Sequence, residues 1–197
     1  MGHRGRFRVR ILVVDCDLEA LTIRGAIEEM TALNTDVVLW PAATSYQLTD
    51  ALCLSRDQAD HVIICCHGDG EGILFEEVVP EALGGRPFEA KVGPEQVSAR
   101  ARLDSQVVVC TGCGLGRQEM AEAFLEAGAA AYLAARDDPQ GSAVTPFLTL
   151  FYYNLLAGGQ PPDQAVERAR NYCQGMSVFR LWQRPTAGDL GRAEGGA

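Results

Sequence analysis

Two short polar turns carry side chains that can perform nucleophilic chemistry together. His67 follows the apolar run in HVIICCHGDG, and Cys113 lies 46 residues later, after the apolar run in QVVVCTGCGLG. A cysteine attacks a carbonyl as its thiolate, and a neighbouring imidazole can help to generate that thiolate or protonate the leaving group. The sequence therefore predicts a His67–Cys113 catalytic dyad in a cysteine-dependent hydrolase.

Glycines flank both members of this pair. Gly68 follows the histidine, while Gly112 and Gly114 enclose the cysteine. Because glycine has no Cβ, these positions let a substrate and backbone amides approach closely. We expect the amides of Gly68 and Cys113 to form an oxyanion hole, an effect worth about 3–4 kcal/mol per donor.

The order of histidine and cysteine along the chain narrows the class of enzyme. The three histidines, His3, His61 and His67, all precede Cys110 and Cys113. Papain-like enzymes and glutamine-amidotransferase-like elbows place the histidine after the cysteine, so the sequence excludes both arrangements. His61 begins an apolar run, and we expect it at the surface or at a sheet edge.

The remaining cysteines are expected to be structural. The chain has seven, an odd number, and no recognisable leader, which predicts reduced thiols and not a disulfide framework. Cys110 is the rival nucleophile, but it ends an apolar strand and is expected in the core, as are Cys65 and Cys66.

Alternating strands and helices are predicted to position these turns. The predicted strands are Arg8–Cys16, Asp36–Trp40, Ala59–Cys66, Gln106–Cys110 and Ala129–Ala134, with Gly72–Phe75 in a small hairpin. The predicted helices are Leu18–Met30, Ser45–Leu54, a short one from Pro94, Gln118–Ala127, Ser142–Leu156 and Pro162–Cys173. Apolar strands separated by helices indicate an α/β fold: a three-layer αβα sandwich around a mostly parallel, doubly wound sheet. Ligands of such sheets bind beyond the carboxyl ends of the strands, where His67 and Cys113 fall.

These two motifs, in this order and spacing, resemble the caspase-fold cysteine peptidases, most closely the CHAT-domain and separase-like members. AEAFLEAGAAAYLAA is similar to the family's next helix and strand, and FLTLFYYNLLAGG to its closing helices. The resemblance covers roughly residues 8–173. It implies a caspase-like sandwich and a peptidase that acts on a protein or peptide through a His–Cys dyad.

The resemblance also implies a selective substrate pocket. Asp137 or Asp138 stands where separase-like members carry an acidic residue that receives an Arg or Lys side chain, and Asp69 is a further candidate for this pocket. Arg136 stands where the family usually has a Trp-containing segment. Since Arg136 can pair with either neighbouring aspartate, it argues against specificity for a basic residue.

Composition limits the partners and the compartment. The net charge of −9 argues against nucleic acid as a partner, and no apolar run reaches the ~18 residues of a membrane span. The first apolar run is too short for a signal peptide, so we expect a cytoplasmic protein, and its Arg-rich, Ala- and Gly-rich composition suggests a bacterial source. Residues 8–184 are expected to form one domain between a flexible N-terminus (1–7) and a disordered tail (185–197). No cofactor is expected.

One rival interpretation, a receiver domain, is excluded. The positions where that fold needs a phosphoacceptor aspartate and a lysine hold Cys66-His67 and Ala135-Arg136.

Other interpretations of the function stay open. Cys110-x-x-Cys113 has dithiol spacing and could form a zinc or redox site with Cys66 and His67. The domain could also be a catalytically inactive interaction module, or a cysteine enzyme that processes amides or thioesters without proteolysis. A homodimer or an activating protein partner is conceivable, with Phe179–Trp182 covering a sheet edge.

Overall fold

A six-stranded sheet forms the centre of the molecule in the computed structural model, which describes residues 8–16, 19–31 and 35–184. The strands of this sheet are β1 (Val9–Asp15), β2 (Thr35–Pro41), β3 (His61–Cys65), β7 (Val107–Cys110), β8 (Ala131–Ala135) and β9 (Phe179–Gln183). Their order across the sheet is β2-β1-β3-β7-β8-β9, and all neighbours are parallel except β9, which runs antiparallel to β8. β4 (His67–Gly68), β5 (Ile73–Leu74) and β6 (Lys91–Val92) form a separate antiparallel sheet.

Helices cover both faces of the central sheet. They are α1 (Ala20–Thr31), α2 (Ser45–Ala51), α3 (Pro94–Arg100), α4 (Gln118–Glu126), α5 (Gly141–Tyr152) and α6 (Pro162–Arg170). Alternate residues of β3 face opposite layers: Val62 and Ile64 pack in the cluster that includes α2, α3 and α4, while Ile63 and Cys65 pack in the cluster that includes α1, α5 and α6. The predicted three-layer α/β sandwich with a mostly parallel sheet is confirmed.

The last strand closes one edge of the sheet. β9 pairs with β8 in the register Tyr132↔Trp182, and the Phe179 ring stacks on Phe147 with ring centroids 3.8 Å apart. The closing segment Phe179–Trp182 therefore covers an edge, as the sequence suggested.

His61 corrects a prediction. It lies in the core with 8% of its surface exposed, and its Nδ1 is 3.5 Å from the Tyr152 hydroxyl. The reason is that β3 lies between β1 and β7, so its first residue is covered by neighbouring strands and by α5. Burial, the largest cause, lowers the pKa of His61 to about 4.

Several element boundaries differ from the predictions by a few residues. α5 ends at Tyr152 and continues as one wider π turn, Tyr153–Ala157, and α6 ends at Arg170 where the pattern favoured Cys173. The flexible N-terminus and the disordered tail, predicted for 1–7 and 185–197, lie outside the described residues. Among the helices of the described ranges, none is both long enough and apolar enough to span a bilayer.

Candidate active site

The register of two central strands brings the two predicted turns together. β3 and β7 are parallel neighbours in which Ile64 pairs with Cys110, and His67 and Cys113 each lie three residues beyond that pair. Thr111 ties the strand ends to each other: its amide donates to the Ile64 carbonyl at 3.0 Å, and its Oγ1 accepts from the Cys66 amide at 3.1 Å. Both turns therefore leave the sheet side by side.

The backbones of the two turns are in direct contact. A Cβ on Gly112 would lie 3.1 Å from both the His67 carbonyl carbon and the Gly68 nitrogen. A Cβ on Gly68 would lie 2.8 Å from the Cys113 carbonyl oxygen and from Leu115 Cγ. Because real Cβ atoms do not approach so closely, glycine at these positions is what lets the His67 turn and the Cys113 turn meet.

The loop after Cys113 is anchored on β8. The Gly114 amide donates to the Asp137 carbonyl at 3.1 Å, and the Gly116 amide donates to the Ala135 carbonyl at 2.7 Å. Gly114 has a φ of +69°, a conformation that glycine adopts without strain. These bonds hold Cys113 against the segment that carries Asp137 and Asp138.

The Cys113 thiol has a carboxylate partner. Its Sγ donates a hydrogen bond to Asp138 Oδ1 at 2.9 Å. Burial, followed by the hydrogen bond and the negative charge of Asp138, raises the pKa of Cys113 to about 11. The resting state therefore holds a protonated thiol. The sequence placed Asp138 near the site but carried no signal for this contact, which joins residues 25 positions apart.

His67 is exposed and lines a cavity of about 660 Å³. The cavity wall also includes Asp15 and Cys16 from the end of β1 and the acidic pair Glu76 and Glu77. Asp15 is not among the predicted site residues, and the structure places it in the wall of this cavity. Parallel strands that end at one edge account for it.

The three aspartates predicted for a substrate pocket lie in different settings. Asp138 contacts the Cys113 thiol, and Asp137 lines a second cavity, of about 630 Å³, together with three arginines. Asp69 is engaged within the small sheet: its Oδ1 accepts from the Glu71 and Gly72 amides, and its Oδ2 accepts from Lys91 Nζ at 3.2 Å. The hydrogen bond from the Glu71 backbone amide is the main reason that the pKa of Asp69 is lowered.

The other cysteines behave as core residues where the sequence predicted it. Cys65 and Cys110 are fully buried and Cys66 nearly so, and burial raises the pKa of both Cys65 and Cys110 well above the ordinary value. The predicted core role of Cys110 is therefore confirmed. None of the seven cysteines, all of which lie within the described ranges, forms a disulfide. In the described part of the chain, no group of three or more His, Cys, Asp or Glu side chains could hold a metal ion.

Comparison with known proteins finds one matching family model and several solved structures with a similar fold. A family model described as "CHAT domain" matches residues 16–179. The Arg-specific cysteine proteinase gingipain R superposes with a TM-score of 0.58 at 11% identity, over 92% of this chain and 48% of that one. Separase in the Saccharomyces cerevisiae separase–securin complex gives a TM-score of 0.54 at 11% identity, over 90% of this chain and 12% of that one. No curated protein sequence matches the chain.

These likenesses concern the fold. The chain has the architecture of the caspase-like cysteine peptidases, and it spans about half of the gingipain chain and a small part of the separase chain.

Proposed function

Because the chain belongs to the CHAT domain family, we propose that it is a cysteine peptidase that cleaves a protein or peptide with His67 and Cys113. The observation that supports this proposal is the backbone contact between the two glycine-containing turns that carry His67 and Cys113 beyond the ends of β3 and β7. The caspase-like fold supports it.

The proposed reaction is acyl transfer through the thiolate of Cys113. His67 takes the Cys113 thiol proton, and the sulfur forms a bond to the scissile carbonyl carbon as the C=O π pair moves onto oxygen, where the amides of Gly68 and Cys113 stabilise the oxyanion. Collapse breaks the C–N bond, and the His67 imidazolium gives its proton to the departing amine. A water molecule, deprotonated by His67, then attacks the acyl carbon. The C–S bond breaks, the carboxylic acid product leaves, and His67 returns the proton to the Cys113 sulfur.

Release of the thiol from Asp138 is the first requirement of this mechanism. The Asp138 carboxylate accepts a hydrogen bond from the Cys113 thiol, with its Oδ1 2.9 Å from the sulfur. Its negative charge opposes ionisation of the thiol to a thiolate. We propose that a basic group of the substrate binds Asp138 and so frees Cys113. Asp137 and Asp69 stay candidates for the same substrate group, although Asp69 is already paired with Lys91.

A protein partner is a second way to displace Asp138. The separase structure is of a complex with securin, so a protein-bound state is known for one protein of this fold. For this chain we propose either an activating protein or a second copy at the β9 edge. The molecular mass in solution, measured by light scattering, tests for a homodimer.

The central experiment is a screen of a fluorogenic peptide library with three proteins. We expect the parent protein and Cys110→Ala to cleave the same peptides, and Cys113→Ala to cleave none. Activity that survives in Cys113→Ala but is lost in Cys110→Ala would overturn the nucleophile assignment. Labelling of Cys113 by an electrophilic peptide should also slow in His67→Ala.

The protonated thiol favours one alternative, a catalytically inactive interaction module. In that case Cys113 stays inert to the electrophilic peptide in every variant, including Asp138→Asn. An enzyme that processes amides or thioesters without proteolysis would instead be labelled normally, yet it would leave the peptide library intact.

A further inference from the structure

A cationic cavity lies beside the loop that carries Cys113. Its volume is about 630 Å³, and its charged lining is Arg117, Arg136 and Arg180 against Glu119 and Asp137. Three positive and two negative groups leave it with a formal charge of about +1, whereas the whole chain carries −9. The local charge is therefore opposite in sign to that of the protein.

The three arginines lack carboxylate partners. Within residues 8–16, 19–31 and 35–184, no ion pair of 4.0 Å or less involves any of them. Arg180 Nη1 donates instead to the backbone carbonyls of Ser177 and Phe179. Burial lowers the pKa of Arg180, and the positive charges of Arg170 and Arg136 lower it further, against the opposing charges of Asp137 and Glu167. An anion in the cavity would relieve this repulsion.

One arginine of this cavity lies against the turn that follows His67. Arg117 precedes the first turn of α4, and a Cβ on Gly70, in the turn after His67, would lie 2.7 Å from the Arg117 guanidinium carbon. The start of α4 is held on β8, because a Cβ on Gly116 would lie 2.5 Å from the Ala134 carbonyl oxygen. No side-chain hydrogen bond caps α4 at Arg117, and the positive end of the helix dipole adds to the potential of the arginines.

We propose that this cavity, which we call the arginine subsite, binds an Asp or Glu side chain of a peptide substrate close to the bond that Cys113 attacks. The inference rests on the proposed peptidase function and specifies its substrate. Guanidinium groups pair with carboxylates in a planar, two-bond geometry. A local charge of about +1, with two carboxylates in the wall, suits a monoanion better than a phosphate dianion. The substrate therefore carries an acidic residue here in addition to any basic group at Asp138.

The test measures binding and not cleavage. Cys113→Ala protein is titrated into two tetramethylrhodamine-labelled octapeptides, alternating Gly–Glu and alternating Gly–Gln, and the fluorescence anisotropy is recorded at low salt. We expect the Glu peptide to bind about three- to tenfold more tightly. A surface without a local site would show the opposite preference, because the net charge of −9 repels the Glu peptide.

Further substitutions in the same background localise the site. Arg136→Gln and Arg117→Gln should each remove most of the preference for the Glu peptide, and Asp137→Asn should strengthen it. Arg168→Gln is the matched control: Arg168 is an exposed arginine of α6, and its loss changes the net charge equally. Substituting phosphoserine for Glu should not tighten binding.

Equal binding of the two peptides, or equal losses in Arg168→Gln and Arg136→Gln, would overturn the subsite. Tighter binding of the phosphoserine peptide would overturn its assignment to carboxylates. The peptidase proposal is tested separately by electrophile labelling of Cys113, so either proposal can fail while the other stands.

Discussion

The Cys113 thiol donates its hydrogen bond to Asp138, across a sulfur–oxygen distance of 2.9 Å. A cysteine nucleophile is usually paired with a group that favours the thiolate, whereas a carboxylate favours the thiol. In the resting state the proposed nucleophile is therefore half-buried, and its ionisation is opposed by the Asp138 carboxylate.

Replacing Asp138 should activate the thiol. In Asp138→Asn the negative charge is lost, so the pKa of Cys113 falls from about 11, although burial, its first cause, keeps it raised. A lower pKa gives more thiolate at pH 8, and we expect alkylation by iodoacetamide to be about three- to tenfold faster. Mass spectrometry of the Cys113 peptide gives the rate against pH. Asp137→Asn serves as the control, and an unchanged pH profile in Asp138→Asn contradicts the proposed suppression.

The contact between the two turns should tolerate no side chain at position 68. Gly68→Ala places its Cβ against the Cys113 carbonyl and Leu115, which pushes the turns apart. Because misplacement by about 1 Å can cost on the order of 100-fold in rate, we expect peptide cleavage to fall at least about tenfold. Gly25→Ala is the matched control, since its Cβ meets nothing within 4 Å and the change lies within α1. It should keep full activity and gain about 0.5–1 kcal/mol in unfolding free energy. Equal activity in the two variants would show that the contact is unimportant.

Thr111 should act as a positioning residue. Thr111→Val removes the hydroxyl that accepts from the Cys66 amide and leaves that buried donor unpaired, which costs about 1–3 kcal/mol. Thr111→Ser keeps the hydroxyl. Urea unfolding should separate the two variants by that amount, and labelling of Cys113 by the electrophilic peptide should slow only in the valine variant. Identical labelling rates would limit Thr111 to a role in stability.

Buried His61 should make stability depend on pH. Its folded-state pKa of about 4 lies below the ordinary 6.5, so between these values the unfolded chain binds a proton that the folded chain does not. The stabilisation from the neutral histidine is thus complete above pH 6.5 and is lost as the pH falls toward 4. From pH 7 to 4.5 we expect a loss of about 2 kcal/mol in urea unfolding. His61→Gln, if folded at pH 7, should lose less over this range, and an equal loss would assign the acid sensitivity elsewhere.

The position of the two turns could be predicted because residues that follow parallel strands gather at one edge of the sheet. Apolar runs before His67 and Cys113 identified two buried strands, and the flanking glycines indicated close approach. The contact between Cys113 and Asp138 could not be predicted, since it depends on how the loop after β8 folds back toward β7. His61 was misplaced for a related reason: a polar residue at the start of a run suggests an edge, but strand order decides which strands are interior.

The two members of the proposed dyad belong to different sheets. Cys113 follows β7 of the large sheet, whereas His67 opens the small antiparallel sheet of β4, β5 and β6, whose strands are each two residues long. Ile73, Phe75 and Val92 of the small-sheet segment pack in the same core cluster as Cys110 and Leu115. Changes at exposed positions of the segment, such as Glu76 and Glu77 in the His67 cavity, can therefore alter the environment of His67 without repacking the core beneath Cys113. The exposed part of this segment is therefore where the surroundings of His67 can vary, while its buried part is tied to the strands that support Cys113.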